Sequence, residues 1–335
     1  MRTPLLRRPA RALAAALSVG LLASACSASG ETGSSEASGD YPVTVENCGA
    51  DVTFDAPPER VVMLKSASVP FLHDLGVMDK VVARAGQYPE EYYDQATLDE
   101  LDQVPLLTDK LDPAGHLLIS KEVVIAQRPD LVLGEVENLS RDTLAASDIP
   151  LIEEPALCDV AGAKPSFDDI YDQMELYGTV FDRTEEADAA VADLQQRVKE
   201  ITSRVTHDGR TAAVLYPTIG GGTTYAYGSG SMANPQLEAA GFENVFADVD
   251  ERVFEVTHEE LLGRDPDVII VLHSEGSPQE AVDAVSQLPG ADRLTAVRNH
   301  ALMPLLFNFS EPATPLSVDG LERIVDHFHT QGGAS

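Results

Sequence analysis

Residues 166–205 constrain this chain most, because they read as one long helix with a single joint. Ser166 and Asp169 form a capping box, and Ile170, Met174, Tyr177, Val180 and Phe181 recur behind it at helical spacing. After a joint at Asp182–Arg183, Thr184 with Glu185 and Glu186 gives a second start signal. Ala187, Ala190, Val191, Leu194, Val198, Ile201 and Val205 then continue the apolar stripe. At 1.5 Å per residue such a rod spans about 55 Å, longer than one ordinary domain is wide. Alternating strands and helices lie on both sides of it, so it reads as a strut joining two α/β lobes. The competing reading is a surface helix of one large domain.

Ahead of the strut, Tyr41 to Phe54 alternates as a hairpin that Pro57 and Pro58 end. Val61–Leu64, Val81–Ala83, Asp130–Gly134 and Pro150–Ile152 follow as apolar strands, with helices at Val69–Leu75 and Lys121–Gln127. Beyond the strut the grammar restarts, with strands at Thr211–Tyr216, Asp267–Leu272 and Ala301–Phe307. Helices there cover Pro235–Ala240, His258–Gly263, Gln279–Ser286 and Val318–Phe328. Continuous apolar strands separated by helices predict parallel, helix-covered sheets. One device occurs once per lobe. Ser120, Glu122 and Pro129-Asp130 precede one strand, and Thr257, Glu259 and Pro266-Asp267 precede another at the same spacing.

The chain opens with a secretion leader: Arg2, Arg7, Arg8 and Arg11, then an apolar run at Ala12–Ala25 that is short for a membrane span. Leu22 to Cys26 resembles a bacterial lipobox, with Ala23 where leucine is usual, so Cys26 is the expected lipidation site. A plain signal peptide cut near Ala25 is the alternative. The Ser/Gly-rich stretch up to Asp40 has no large apolar residue and reads as a flexible leash. The expected organisation is a signal peptide (1–25), a lipoprotein linker (26–40), an N-terminal lobe (41–166), the interlobe helix (167–205) and a C-terminal lobe (206–330).

Losing the four leader arginines takes the net charge from −32 to −36, which argues against nucleic acid and anionic headgroups as partners. If Cys26 carries lipid, Cys48 and Cys158 remain as a pair in an oxidising compartment. A bridge closing that loop contributes about 4 to 5 kcal/mol on the chain-entropy model. Two unrelated buried thiols are the alternative.

Ligands of open parallel sheets sit beyond the carboxyl ends of the strands. That selects Lys65, Ser66, Ser68, Arg84, Tyr88, Glu135, Asn138, Tyr216, Thr218, Tyr225, Tyr227, His273, Ser274, Asn308 and Phe309, with Arg84, Tyr88 and Tyr227 preferred. An ordinary loop role is the competing reading for each. Gly228 to Ala233 fits G-x-G-x-x-A with Asp248 twenty residues on, but the helix it should open reads as starting only at Asn234-Pro235, against a dinucleotide site. The eight histidines form no clustered ligand set, so no resident metal is expected, although His116 or His273 with a tyrosine leaves haem ligation open. No serine-nucleophile signature occurs, so an extracytoplasmic hydrolase is a remote alternative.

Pro58-Glu59-Arg60-Val61-Val62, the two glutamate-to-Pro-Asp units, Gly241 to Phe246 and the strut resemble the substrate-binding proteins of ABC importers for ferric siderophores, haem and cobalamin. The resemblance covers the chain from about Tyr41, and departs where Phe242 follows Gly241 in place of a second glycine. It implies two α/β lobes joined by a rigid helix, a ligand cleft between them and a small closing motion. It also implies that Glu122 and Glu259 dock on arginines of the membrane permease. A carboxylate in a helix's first turn has a structural account as well, worth about 0.3 to 1 kcal/mol. The expected function is a monomeric, lipid-anchored binding protein, not an enzyme and without a cofactor, that delivers a ferric siderophore to an importer. Haem or a corrinoid is the alternative cargo.

Overall fold

The computed structural model describes residues 41–112, 116–158, 164–274 and 276–330, which form one compact unit. The leader, Cys26 and the linker lie outside the described residues. The first part of the chain gives a hairpin, β1 (Val43–Asn47) and β2 (Ala50–Phe54), then β3 (Val61–Met63), α1 (Val69–Asp74), β4 (Val81–Arg84) and α2 (Gln95–Leu101). It continues with α3 (Lys121–Ile125), β5 (Leu131–Leu133), α4 (Arg141–Ala145) and β6 (Leu151–Ile152). Strands β4-β3-β5-β6 make a four-stranded parallel sheet in that order, as the sequence predicts. Cys48 is disulfide-bonded to Cys158, which ties the hairpin to the segment after β6.

Two helices follow, α5 (Phe167–Val180) and α6 (Thr184–Thr202). The capping box forms as expected, Ser166 N donating to Asp169 Oδ2 at 2.6 Å. The joint also falls where expected, yet the continuous rod does not exist. Asp182 adopts φ +55°, Arg183 N bonds back to Gly178 O at 2.7 Å, and the chain turns so that α6 packs on α5. A Cβ on Gly178 would lie 2.4 Å from Ala187 Cβ, so the helices cross where only glycine fits. Arg183, not Thr184, holds the cap position, and no side chain caps α6. At 14 and 19 residues the helices span about 21 and 28 Å, and α6 touches both α1 and the helix at Pro315–Val325.

The second part comprises β7 (Thr211–Pro217), β8 (Thr224–Tyr227), α7 (Ala233–Ala239), β9 (Glu243–Asn244), β10 (Val253–Glu255) and α8 (His258–Arg264). It ends with β11 (Val268–His273), α9 (Pro278–Ser286), α10 (Thr295–Arg298), β12 (Leu302–Leu306) and α11 (Pro315–Val325). The strands expected from the sequence are parallel here too, but two further strands join them in the opposite sense. Strands β7, β11 and β12 are parallel, but β8 runs antiparallel to β7 and β10 antiparallel to β8. At four and three residues, β8 and β10 are too short to show an apolar period, which is why they escape a sequence reading. The duplicated Pro-Asp has one job in both lobes. Asp130 accepts the Glu59 and Arg60 N–H groups ahead of β3, and Asp267 accepts the Thr211 N–H at the start of β7.

Strand alternation assigns the core. Val61 and Met63 of β3, with Val268, Ile270 and Leu272 of β11, face one continuous core shared with Phe71, Tyr177, Leu194 and Leu316. Val62 and Leu64 turn into a separate core on the outside of the first sheet, and Ile269 and Val271 into another outside the second. The two sheets therefore share their inner core and keep private outer ones. Among the described residues no helix is long and apolar enough to cross a membrane. Gly178→Ala is expected to destabilise the fold by about 1 to 3 kcal/mol through overpacking at the α5–α6 crossing. Adding Ala187→Gly should recover part of the loss in denaturant unfolding, and an unperturbed single variant would contradict this packing.

Candidate functional site

A cleft of about 1040 Å³ opens between the carboxyl ends of the two sheets. Its first wall starts at the end of β3, where Lys65 extends over Gly134. Gly134 sits at φ +91°, and a Cβ there would lie 3.0 Å from Lys65 Cγ, so the close approach requires glycine. Lys65 Nζ donates to Glu153 Oε2 at 2.6 Å. Glu153 is buried, and its carboxylate also accepts the Glu135 and Glu154 N–H groups, at 2.7 and 2.8 Å. Asn47, from the hairpin, exchanges hydrogen bonds with the Glu153 main chain, while Arg141 grips Asn47 O and Oδ1. The hairpin thus fixes the carboxylate that fixes Lys65.

The second wall is the antiparallel part of the other sheet. Tyr216 of β7 pairs with Tyr225 of β8, and Tyr227 lies two residues on, so all three share one face. Tyr216 packs edge-on against Phe307, and burial raises the Tyr227 phenol above its ordinary range. Arg252 reaches this wall from the turn before β10, with Nη1 donating to Glu311 Oε2 at 2.8 Å. Glu311 is fully buried and also accepts the Ala233 N–H at 3.3 Å. Burial pushes its carboxyl up, while the Arg252 guanidinium opposes that shift. The G-x-G segment serves this turn. A Cβ on Gly228 would lie 2.4 Å from Val249 O and one on Gly230 2.7 Å from Asp250 O, so the glycines admit the neighbouring backbone, not a phosphate. Asp248 pairs with Arg264. Helix α7 starts at Ala233, one residue before the expected Asn234 cap.

The walls meet at Asn308, whose Nδ2 donates to Ser66 Oγ at 3.2 Å and whose N–H donates to the Tyr92 hydroxyl at 3.1 Å. Of the residues expected at the site, Ser66, Tyr216, Tyr225 and Tyr227 line the cleft, with Lys65, Glu135, Ser274 and Asn308. The structure does not bring Arg84, Tyr88, His273 or Phe309 to its wall. The Arg84 guanidinium stacks 4.9 Å from the Tyr88 ring and its Nε donates to Val104 O, while the Tyr88 hydroxyl turns back toward Ala85 O at 3.2 Å. His273 and Phe309 are buried, Phe309 between Tyr92 and Arg323. Ser68 is buried, Asn138 donates to Ile119 O, and Thr218 donates to Thr223 O within its own turn. Arg252, Glu153, Gln87 and Phe307 also line the cleft, though the sequence does not single them out for it. Glu153 follows β6, where the strand-end rule reaches it, whereas nothing local marks Arg252.

One histidine, His116, has two carboxylates beside it. Asp112, His116 and Glu137 place donor atoms within 4.8 Å of one another at the rim, on loops that no motif connects. Glu122 and Glu259 sit exposed in the first turns of α3 and α8, capped by Ser120 and Thr257. The Glu122 carboxyl is held below its usual range by its own N–H and the Ser120 hydroxyl.

The chain matches the family described as "Periplasmic binding protein" over residues 61–305. It resembles the crystal structure of an ABC-type Fe3+-hydroxamate transport system from Saccharomonospora viridis, at 55% identity and a TM-score of 0.81, covering 88% of this chain and 100% of that one. It is 22% identical to an uncharacterized ABC transporter substrate-binding lipoprotein of Bacillus subtilis, over 86% of each chain. A cobalamin-binding protein of Halobacterium salinarum is 24% identical, over 86% of this chain and 74% of that protein.

Behind the Lys65–Glu153 pair, Glu154 is buried, accepts the Tyr177 hydroxyl at 3.0 Å through Oε1, and leaves Oε2 without a partner. Burial first, and the neighbouring Glu153 charge second, raise its carboxyl to about 8. From the ordinary carboxylate range up to about pH 8, the folded chain holds a proton here that the unfolded chain has released. Stability should therefore fall as pH rises through that window, by up to about 1.4 kcal/mol per pH unit. Glu154→Gln should flatten this slope in denaturation series between about pH 5 and 8, and an unchanged slope would remove Glu154 as its source.

Proposed function

The chain belongs to the periplasmic binding protein family, and from that premise we propose that it captures a ferric siderophore outside the cytoplasm and delivers it to the permease of an ABC importer. One observation carries the reading: both sheets point their strand ends into one roomy cleft whose walls combine aromatic faces with fixed N–H donors. Such walls suit a bulky chelate with apolar flanks and oxygen edges. The 55% identical relative named for Fe3+-hydroxamate transport supports the choice of chelate. A corrinoid is the second reading, favoured by the relatives named as cobalamin-binding. We assign ligand contact to Ser66, Tyr216, Tyr225 and Tyr227. Glu122 and Glu259, equivalent in sequence and in position, are the proposed docking points on the permease, and Cys26 the proposed lipid anchor.

The chain has no tryptophan, so the ligand's own colour is the better reporter of binding. Titrating the purified protein with ferrioxamine B should give one-to-one, saturable retention of the iron charge-transfer band. Retention of cyanocobalamin and not of the ferric chelate would overturn the siderophore reading. Reversing both Glu122 and Glu259 to lysine should abolish uptake by whole cells while leaving ligand affinity unchanged. Undiminished uptake would remove the docking role.

A further inference from the structure

Each wall of the cleft presents one cation, and each cation is held by a buried carboxylate of its own lobe, Lys65 by Glu153 and Arg252 by Glu311. Resting on the siderophore reading, we propose that these two clamped pairs make the cleft a reader of ligand charge, admitting neutral or cationic ferric chelates and turning away polyanionic ones.

Charge and geometry carry the argument together. Glu153 and Glu311 cannot swing away from their cations, because each also accepts main-chain N–H groups. Lys65 and Arg252 therefore offer directed N–H donors with little net positive field. Glu135 and Glu137 add two further carboxylates to the same lining, and among the described residues no third Lys or Arg offsets them. Two cations, Lys65 and Arg252, stand against four carboxylates, Glu135, Glu137, Glu153 and Glu311, so the cleft and its clamps sum to a negative charge whether or not His116 carries a proton, inside a chain that is itself strongly acidic. Ferric iron bound by three singly charged hydroxamates has a neutral core whose oxygens still accept hydrogen bonds. Iron bound by three doubly charged catecholates is a trianion, and it would meet like charge on both walls.

The test compares two ferric chelates on the purified protein, neutral ferrichrome and a hexadentate ferric tris-catecholate, at fixed ionic strength. The hydroxamate should bind tighter by about 100-fold or more. Glu153→Gln and Glu311→Gln should each narrow that gap by about tenfold, chiefly by improving catecholate binding. Glu137→Gln, at an exposed rim position, should narrow it by a few fold without risk to folding. Equal or tighter binding of the catecholate by the unaltered protein overturns the inference and leaves the siderophore reading intact. So does a gap that none of the three substitutions narrows, including the rim variant if the buried ones fail to fold. Failure of both chelates to bind overturns the siderophore reading and the inference with it.

Discussion

The common inner core is the constraint on which the rest of this molecule depends. The inner faces of both sheets, the α5–α6 pair, α1 and α11 bury their apolar side chains in one continuous body. Separating the lobes would expose that body, at about 25 cal/mol for each Å² of apolar surface returned to water. Salt links such as Arg197–Asp319, between α6 and α11, add orientation more than strength. Hydrogen bonds from Asn308 to Ser66 and Tyr92 sit at the point where the walls meet. A chain joined this way presents its cleft largely pre-formed, and ligand selection falls to the wall side chains.

Those walls are where the fold accepts its costs. Glu153, Glu154 and Glu311 are buried carboxylates within or behind the cleft walls. Two are paired with cations, and the third is relieved by holding a proton. Removing one partner of a buried pair typically costs about 3 to 5 kcal/mol, because the other charge is left stranded. Apolar residues of equal volume would often be as stable. What the carboxylates supply instead is fixed direction for Lys65 and Arg252, with their charge balanced in advance.

Much of this was legible in the sequence where a signal is local. Periodicity gave the first parallel sheet, the parallel strands of the second and both helices of the strut, and the Ser166 box marked where the strut begins. The turn falls at Asp182, where the sequence marks a joint, but periodicity reports which face is apolar and not which way the next helix leaves. Gly178 was the missed clue, its absent side chain making room for Ala187. Among the strand-end residues, Ser66, Tyr216, Tyr225 and Tyr227 reach the cleft. Arg84 ends β4, an edge strand, and Tyr88 lies in the loop beyond it; they satisfy one another and the local backbone instead. Tertiary packing brings Arg252 to Glu311, and separately Glu137 to the Asp112–His116 turn, which no spacing rule encodes.

The central claim is that both lobes together hold one ferric chelate in this cleft. Anomalous scattering at the iron edge, from crystals of the protein grown with a ferric trihydroxamate, tests it directly. The account predicts a single iron peak between the Lys65 wall and the tyrosine–Arg252 wall. A map with no iron there, or with iron only at the Asp112–His116–Glu137 rim cluster, would contradict it.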